Sequence, residues 1–112
     1  KQNPYSEDAV KDFLKEFKNN IRLIQGNSNK ILKEIETSKI DYVFLDGGHD
    51  FNTVKNDLNY CRNIILNGGI IFCDDYDLSF APGVKKAIDE FVEENKFSCE
   101  ILWNYRFAKI KK

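Results

Sequence analysis

Residues 40–50 read IDYVFLDGGHD, and residues 67–75 read NGGIIFCDD. Each stretch contains a run of apolar residues that ends in aspartate, and each has a pair of glycines beside that run. Nearly continuous apolar runs of this length are typical of parallel strands that are covered on both faces. The two stretches therefore predict buried strands over residues 40–45 and 70–73, each with a polar loop at its carboxyl end.

Before, between and after these strands, apolar residues recur at spacings of three and four, which predicts helices with one apolar face. One example is the stripe Val10, Phe13, Leu14 and Phe17. Ser6 and Ser28 are expected to cap the first two helices, and Asn67-Gly68-Gly69 to end the third. The predicted helices cover residues 6–19, 28–38, 52–66 and 83–95.

The remaining apolar segments complete the fold prediction. Residues 21–24 predict a first strand, and residues 97–112 alternate at period two, which predicts two antiparallel strands joined near Asn104 and Tyr105. Alternating strands and helices followed by a hairpin are typical of α/β proteins. We therefore predict a Rossmann-like, doubly wound sheet with a C-terminal antiparallel hairpin, in a single domain over residues 1–112.

Composition restricts the class of protein. The 112 residues are 42% apolar and 31% charged, with 17 basic and 18 acidic side chains, so the net charge is −1. This balance favours a folded domain and gives no electrostatic argument for nucleic-acid binding, for which a strongly basic face is expected. The apolar runs are too short to span a membrane. The three cysteines lack metal-ligand spacing, so we expect free buried thiols and a cytoplasmic protein.

The candidate chemistry lies at the strand ends. Ligands of open α/β sheets bind beyond the carboxyl ends of the strands, where Asp46, Asp74 and Asp75 would converge if the two buried strands are neighbours. Such oxygen ligands suit Mg²⁺, Ca²⁺ or Mn²⁺. The alternative is that these aspartates only cap helices or turns, which is the favoured interpretation of Asp50. His49, the only histidine, is a candidate base in the same loop.

Four motifs carry a family resemblance: LIQGNS at 23–28, DYVFLDGGHDF at 41–51, NGGIIFCDD at 67–75 and GVKKAIDEF at 83–91. In order and spacing they resemble the second half of class I S-adenosylmethionine-dependent methyltransferases. They look most like the metal-dependent, small-molecule O-methyltransferases of the catechol O-methyltransferase type. The resemblance implies methyl transfer from S-adenosylmethionine to a hydroxyl group of a small molecule, with a divalent cation, Mg²⁺ in the first instance.

The resemblance also implies site residues. His49 falls near the family's general base, and Trp103 and Tyr105 are either acceptor-pocket residues or plain hairpin packing. The third metal ligand of the family is often asparagine, so Asp75 is a mild departure. The implied cofactor-binding residues are Gly26, Asn27, Ser28 and Asp46, and the implied metal ligands are Asp46, Asp74 and Asp75.

The family's glycine-rich loop after its first strand, and the acidic residue that ends its second strand, have no counterpart in residues 1–112. We therefore expect the chain to be the C-terminal half of such a domain, lacking the two strands that lie between residues 21–24 and 40–45 in the family's sheet. Methyl transfer is attributed to the complete parent, and weak or absent cofactor binding is expected of this chain alone.

Other functions stay open. A metal-independent methyltransferase would use His49 as base without a cation. A truncated, non-catalytic α/β module would instead bind a partner, or form a homodimer, through exposed strand edges. A phosphoacceptor receiver-like domain is disfavoured, because its acidic pair should follow an earlier strand than its lone aspartate, and a lysine should follow the last core strand.

Overall fold

A computed structural model describes residues 6–34 and 39–112. Within these ranges a four-stranded mixed sheet carries two long helices. Short 3₁₀ turns, Lys15–Phe17 and Leu32–Glu34, follow the first two helices. The elements are α1 (Glu7–Phe13), α2 (Ser28–Ile31), β1 (Ile40–Leu45), α3 (Phe51–Ile64), β2 (Ile65–Cys73), α4 (Pro82–Asn95), β3 (Ser98–Leu102) and β4 (Phe107–Lys111).

The strand order is β1-β2-β4-β3. β1 and β2 are parallel, whereas β4 is antiparallel to both β2 and β3. The register pairs Leu45 with Cys73, so β1 and β2 end side by side. This arrangement confirms the predicted α/β fold, its two central strands and its C-terminal hairpin.

The core lies between the sheet and the two long helices. Leu58 of α3 and Phe91 of α4 are completely buried, as is Ile110 of β4. The predicted inward positions of α4 are all buried, because they recur at helical spacing along the face that packs on α3 and the core. These buried residues are Val84, Ala87, Ile88 and Phe91.

The opposite face of the sheet is open at β1. Tyr42 and Phe44 are 69% and 60% exposed, while the alternating residues Val43 and Leu45 pack against the core. Side chains of a strand alternate between faces, so the almost uniformly apolar β1 presents one covered and one exposed apolar row.

Three predictions for the N-terminal part are wrong. Residues 21–24 form no strand, since none of the four described strands pairs with them. The first helix was predicted over residues 6–19, but α1 ends at Phe13, whose side chain is 85% exposed. Isolated helices and strands are marginal unless they bury an apolar face against a neighbour, and these segments lack that packing.

The third wrong prediction concerns the start of the second helix. Asn27, not Ser28, caps α2, because its side chain accepts a 2.9 Å hydrogen bond from Asn29 N–H. Residues 35–38 of the predicted helix 28–38 lie outside the described residues.

The end of the third helix also differs from the prediction. α3 stops at Ile64, and Asn67-Gly68-Gly69 lies within β2 instead of ending the helix. The β1–β2 register shifts between the pairs Ile40–Ile65 and Tyr42–Ile70. Gly68 has a φ of +82° at this irregularity, a conformation that glycine adopts without steric cost. The glycines therefore form a bulge that lengthens the strand.

The cysteine prediction is right in part. All three cysteines are free thiols, and Cys61 and Cys73 are buried, but Cys99 is exposed on β3. Alternation on an edge strand explains this difference, since β3 has a neighbour on one side only. Across residues 6–34 and 39–112, no helix has the length and apolarity needed to span a bilayer.

Candidate functional site

A small cleft lies at the adjacent carboxyl ends of β1 and β2. Asp46 follows β1, and Asp74 and Asp75 follow β2, so the side-by-side strand ends bring three carboxylates together. One oxygen from each lies within 4.8 Å of the others. The cleft has a volume of about 20 Å³. The predicted convergence of these aspartates is therefore present, and it follows from the parallel pairing of the two strands.

Arg106 balances part of this negative charge. Its Nε lies 3.1 Å from Asp74 Oδ1, and its terminal nitrogen lies 3.4 Å from Asp74 Oδ2. The hydrogen bond from Arg106 holds the pKa of the Asp74 carboxyl below its usual value, although partial burial opposes that shift. Sequence reasoning missed Arg106, because it lies on the distant β3–β4 turn and lacks a motif of its own.

His49 reaches the same cluster from the loop after β1. Its Nε2 lies 3.0 Å from Asp75 Oδ2, and its ring meets the exposed ring of Phe80 edge-on at 6.1 Å. The His49 side chain is 45% exposed. A histidine with a carboxylate on one nitrogen can use the other nitrogen to accept a proton.

The loop that carries Asp46 and His49 ends in a helix cap. The Asp50 side chain accepts a 3.0 Å hydrogen bond from Thr53 N–H, and this bond lowers the pKa of Asp50. The capping interpretation of Asp50 is confirmed.

A fourth carboxylate, Asp57 of α3, lies beneath that loop and was not anticipated. It is only 5% exposed, and its Oδ1 has no hydrogen-bond partner among the described residues. Burial raises the pKa of Asp57. A sequence signal did exist, because Asp57 stands on the apolar stripe of α3 between Val54 and Cys61.

The other predicted site residues are more scattered. Gly26 and Asn27 are exposed, and Ser28, the first residue of α2, is partly buried. Trp103 and Tyr105 are exposed on the β3–β4 turn, outside the residues that line the cleft. The Trp103 ring packs edge-on against Phe107 with centroids 5.4 Å apart, which is the hairpin packing named as the alternative role.

Residues 2–76 match the model of a family described as a methyltransferase domain. The chain belongs to this family. A curated relative, an uncharacterised protein of Acanthamoeba polyphaga mimivirus, is 38% identical over 56 residues, which are 49% of this chain and 25% of the relative. The matched segment thus covers a quarter of the length of that viral relative.

Solved structures share the fold. The O-methyltransferase NovP superposes with a TM-score of 0.71 at 20% identity, over 96% of this chain and 45% of NovP. The apo structure of CalS11, a TDP-rhamnose 3'-O-methyltransferase of calicheamicin biosynthesis, gives 0.68 at 17% identity, over 97% of this chain and 55% of CalS11. A putative rRNA methylase from Clostridium thermocellum gives 0.63 at 18% identity, over 96% of this chain and 71% of that protein. At these identities the likeness concerns the fold alone, and the domain spans about half of NovP and CalS11.

Proposed function

We propose that the full-length protein that contains this domain transfers a methyl group from S-adenosylmethionine to a hydroxyl group of a small molecule, in the manner of the metal-dependent O-methyltransferases. The observation that carries this proposal is the convergence of three carboxylates within 4.8 Å at the carboxyl edge of the sheet, in a chain of a methyltransferase family. In open α/β folds this edge is the position at which ligands bind.

The carboxylates fit a hard divalent cation. Asp46, Asp74 and Asp75 each offer one oxygen to a common point, and a cleft of about 20 Å³ accommodates one water-sized particle. Arg106 contacts both oxygens of Asp74, so cation binding requires that contact to loosen, whereas His49 contacts only Oδ2 of Asp75 and leaves the other oxygen of that carboxylate for a cation. When bound, such a cation polarises an acceptor hydroxyl and makes its proton easier to remove.

His49 is the proposed base. With Nε2–H donated to Asp75, Nδ1 is the nitrogen that accepts the hydroxyl proton. The acceptor oxygen then forms a bond to the methyl carbon as the sulfur–carbon bond breaks, which leaves S-adenosylhomocysteine and a protonated histidine. Alignment of the reacting groups contributes much of the rate in such a displacement.

The proposed cofactor contacts come from two loops. Gly26, Asn27 and Ser28 lie on one, and Asp46 lies on the other. A link between the loops supports this assignment, because Asn29 donates a 3.4 Å hydrogen bond to the Thr53 hydroxyl, and Thr53 N–H donates to Asp50 at the end of the loop that begins with Asp46. The acceptor is a small molecule, and we place the reaction in the cytoplasm because the cysteines are free.

The test is a methyl-transfer assay with the full-length protein that contains this domain, labelled S-adenosylmethionine and a panel of hydroxyl acceptors. Asp74→Asn should abolish turnover, and His49→Asn should reduce kcat by about 10²- to 10⁴-fold. Asp77→Asn is the matched control, since Asp77 is exposed and lies outside the cluster. Turnover that survives EDTA would show that no cation is required, and His49 would then be the base without a metal. No methylated product from any acceptor would contradict the proposal.

A second candidate is a binding module without catalysis. The exposed aromatic pair Tyr42 and Phe44 on the open sheet face favours it, because large exposed apolar groups are typical of interaction surfaces. Light scattering distinguishes the two candidates. A dimer that dissociates in the variant Tyr42→Ser/Phe44→Ser, with no change in melting temperature on adding S-adenosylhomocysteine, would favour the binding module.

A further inference from the structure

Tyr76 comes directly after Asp74 and Asp75, and its side chain is buried against α4. It is only 6% exposed, and its hydroxyl donates a 2.5 Å hydrogen bond to Asp89 Oδ1. The other oxygen of that carboxylate accepts a 2.9 Å hydrogen bond from Lys85, whose Nζ also lies 5.5 Å from the centre of the Tyr76 ring. Consecutive turns of α4 therefore hold both the ring and the hydroxyl.

The backbone beside Tyr76 is joined to the β3–β4 turn. Tyr76 N–H donates a 2.8 Å hydrogen bond to the carbonyl oxygen of Arg106, and Asp77 N–H donates a 3.1 Å hydrogen bond to that of Tyr105. The Arg106 side chain in turn donates to Asp74. Arg106 thus contacts the residue before Asp75 through its side chain and the residue after Asp75 through its backbone.

Asp75 has a backbone conformation that needs support from its surroundings. Its φ is +61°, in the left-handed region that few residues other than glycine adopt, and such a conformation persists only where the surrounding structure imposes it. Contacts on both sides supply that support, since Asp75 N–H donates a 2.7 Å hydrogen bond to Asp74 Oδ1 and Tyr76 is bonded to α4 and to the β3–β4 turn. In this conformation a carboxylate oxygen of Asp75 lies within 4.8 Å of the other two carboxylates of the cluster.

We propose that Tyr76 is a positioning residue: by anchoring the chain to Asp89 of α4, it holds Asp75 in the left-handed conformation and so sets the spacing of the three carboxylates. Tyr76 does not line the cleft, so it acts through Asp75. Its effect on cation binding rests on the proposed function, because the cation is part of that proposal. Its effect on the backbone of Asp75 does not, since it concerns only contacts within this chain.

The first test measures Mn²⁺ affinity by electron paramagnetic resonance in Tyr76→Phe, which keeps the buried ring and removes only the hydroxyl. The Kd should rise by about 2- to 10-fold, the equivalent of one lost hydrogen bond. Asp89→Ala removes the acceptor and should raise the Kd by the same factor, and the double variant should raise it no further, because both changes break one interaction. Asp89→Asn keeps an acceptor oxygen and should restore most of the affinity. A tyrosine that only fills the core would lower stability in Tyr76→Phe without changing the Kd of the folded protein.

Glu93→Ala is the matched control. Glu93 lies about one turn further along α4, is exposed and lies outside the acidic cluster. Its replacement removes the same charge as Asp89→Ala and should leave the Kd unchanged. If the Kd of Glu93→Ala rose as much as that of Asp89→Ala, general loss of negative charge would explain the result and the inference would fail.

A second measurement, by NMR spectroscopy of the ¹⁵N-labelled protein, needs no cation. In the wild type, Asp75 should show the strong intraresidue nuclear Overhauser effect between its amide and Hα protons that is characteristic of positive φ. The amides of residues 76 and 77 should be protected from hydrogen exchange by their bonds to the β3–β4 turn. In Tyr76→Phe the Overhauser effect should weaken and the protection of those two amides should fall by about 10-fold, while the amides of β2 keep theirs.

Two results would overturn the inference. One is a folded Tyr76→Phe in which the Asp75 Overhauser effect and the amide protection equal those of the wild type. The other is binding of Mn²⁺ to the wild type that neither Tyr76→Phe nor Asp89→Ala weakens. In the full-length enzyme, Tyr76→Phe should raise the cation concentration that gives half-maximal turnover by the factor found for the Kd. If the wild type binds no Mn²⁺, the cation of the proposed function fails and the NMR measurement alone decides this inference, so the two failures are distinguishable.

Discussion

Arg106 and Asp74 form an ion pair across 32 positions of sequence, with Nε 3.1 Å from Oδ1. Asp74 is largely buried, with 9% of its side chain exposed, whereas the Arg106 side chain is 62% exposed and can swing into solvent. The guanidinium therefore occupies one of the three carboxylates that would bind a divalent cation. Arginine and a cation compete for the same oxygen lone pairs.

Removing this competitor should strengthen cation binding. Arg106→Gln should lower the Kd for Mn²⁺ by about fivefold at most, because an ion pair with an exposed partner is weak. The pKa of Asp74, which Arg106 lowers, should return toward its ordinary value, and the carboxyl group stays ionised at pH 7. Electron paramagnetic resonance titration measures free Mn²⁺. Lys111→Gln removes an equal charge from an exposed position outside the cleft and should leave the Kd unchanged. An unchanged Kd in Arg106→Gln would show that the two do not compete.

The raised pKa of Asp57 should appear in the pH dependence of stability. Burial raises its folded pKa above the ordinary value of 3.8, so its contribution to stability is complete below that value and is lost as pH rises through the folded pKa. An amide side chain at this position does not titrate, so Asp57→Asn should gain stability relative to wild type as pH rises from about 3 to about 7. Urea unfolding at a series of pH values measures this difference.

Asp50 provides the opposite sign in the same experiment. Its pKa is lowered by the hydrogen bond from Thr53 N–H, so its contribution to stability is present above the unfolded value and is lost as pH falls. Asp50→Asn should therefore lose stability relative to wild type as pH rises. A difference of the same sign for Asp50→Asn and Asp57→Asn would contradict this assignment.

Two glycines should respond differently to alanine. A Cβ on Gly83 would lie 2.7 Å from the backbone nitrogen of Phe51, where the starts of α3 and α4 meet. Gly83→Ala should cost about 1–3 kcal/mol, because backbone must shift to relieve the overlap. Gly47→Ala should change the free energy of unfolding by less than about 0.5 kcal/mol, since its Cβ would make only an ordinary contact at 3.5 Å. Equal melting temperatures for the two variants would refute the close approach of α3 and α4.

Two phenylalanines that differ in burial should differ in how much stability the protein loses when each is replaced by alanine. Phe91→Ala should lower the free energy of unfolding by about 3–5 kcal/mol, because Phe91 of α4 is fully buried in the core. Phe13→Ala should change it by less than about 0.5 kcal/mol, since Phe13 is 85% exposed at the end of α1. Urea titration of the two variants at one pH gives both values. A large loss in Phe13→Ala would mean that α1 packs on the domain in solution.

The two central strands and their acidic ends were predictable from sequence. Runs such as IDYVFL and IIFC encode burial locally, and parallel neighbours necessarily end at one edge, so Asp46 and Asp74 had to converge once the strands paired. The hairpin and the inward face of α4 were predictable for the same reason, because their periodicities of two and 3.6 are properties of the local chain.

Pairing between distant segments was decided only by the tertiary structure. Residues 21–24 carry a strand-like apolar pattern, but no described neighbour pairs with them, and a strand is stable only when its backbone groups are paired. Gly68 and Gly69 look like a helix end in sequence and instead form a bulge, because the register with β1 continues past them. Arg106 reaches Asp74, and Asp57 lies beneath Gly47, only because the sheet and α3 bring residues together that are far apart along the chain. Periodicity reports which face of an element is buried, whereas contacts between remote polar side chains depend on how the elements pack.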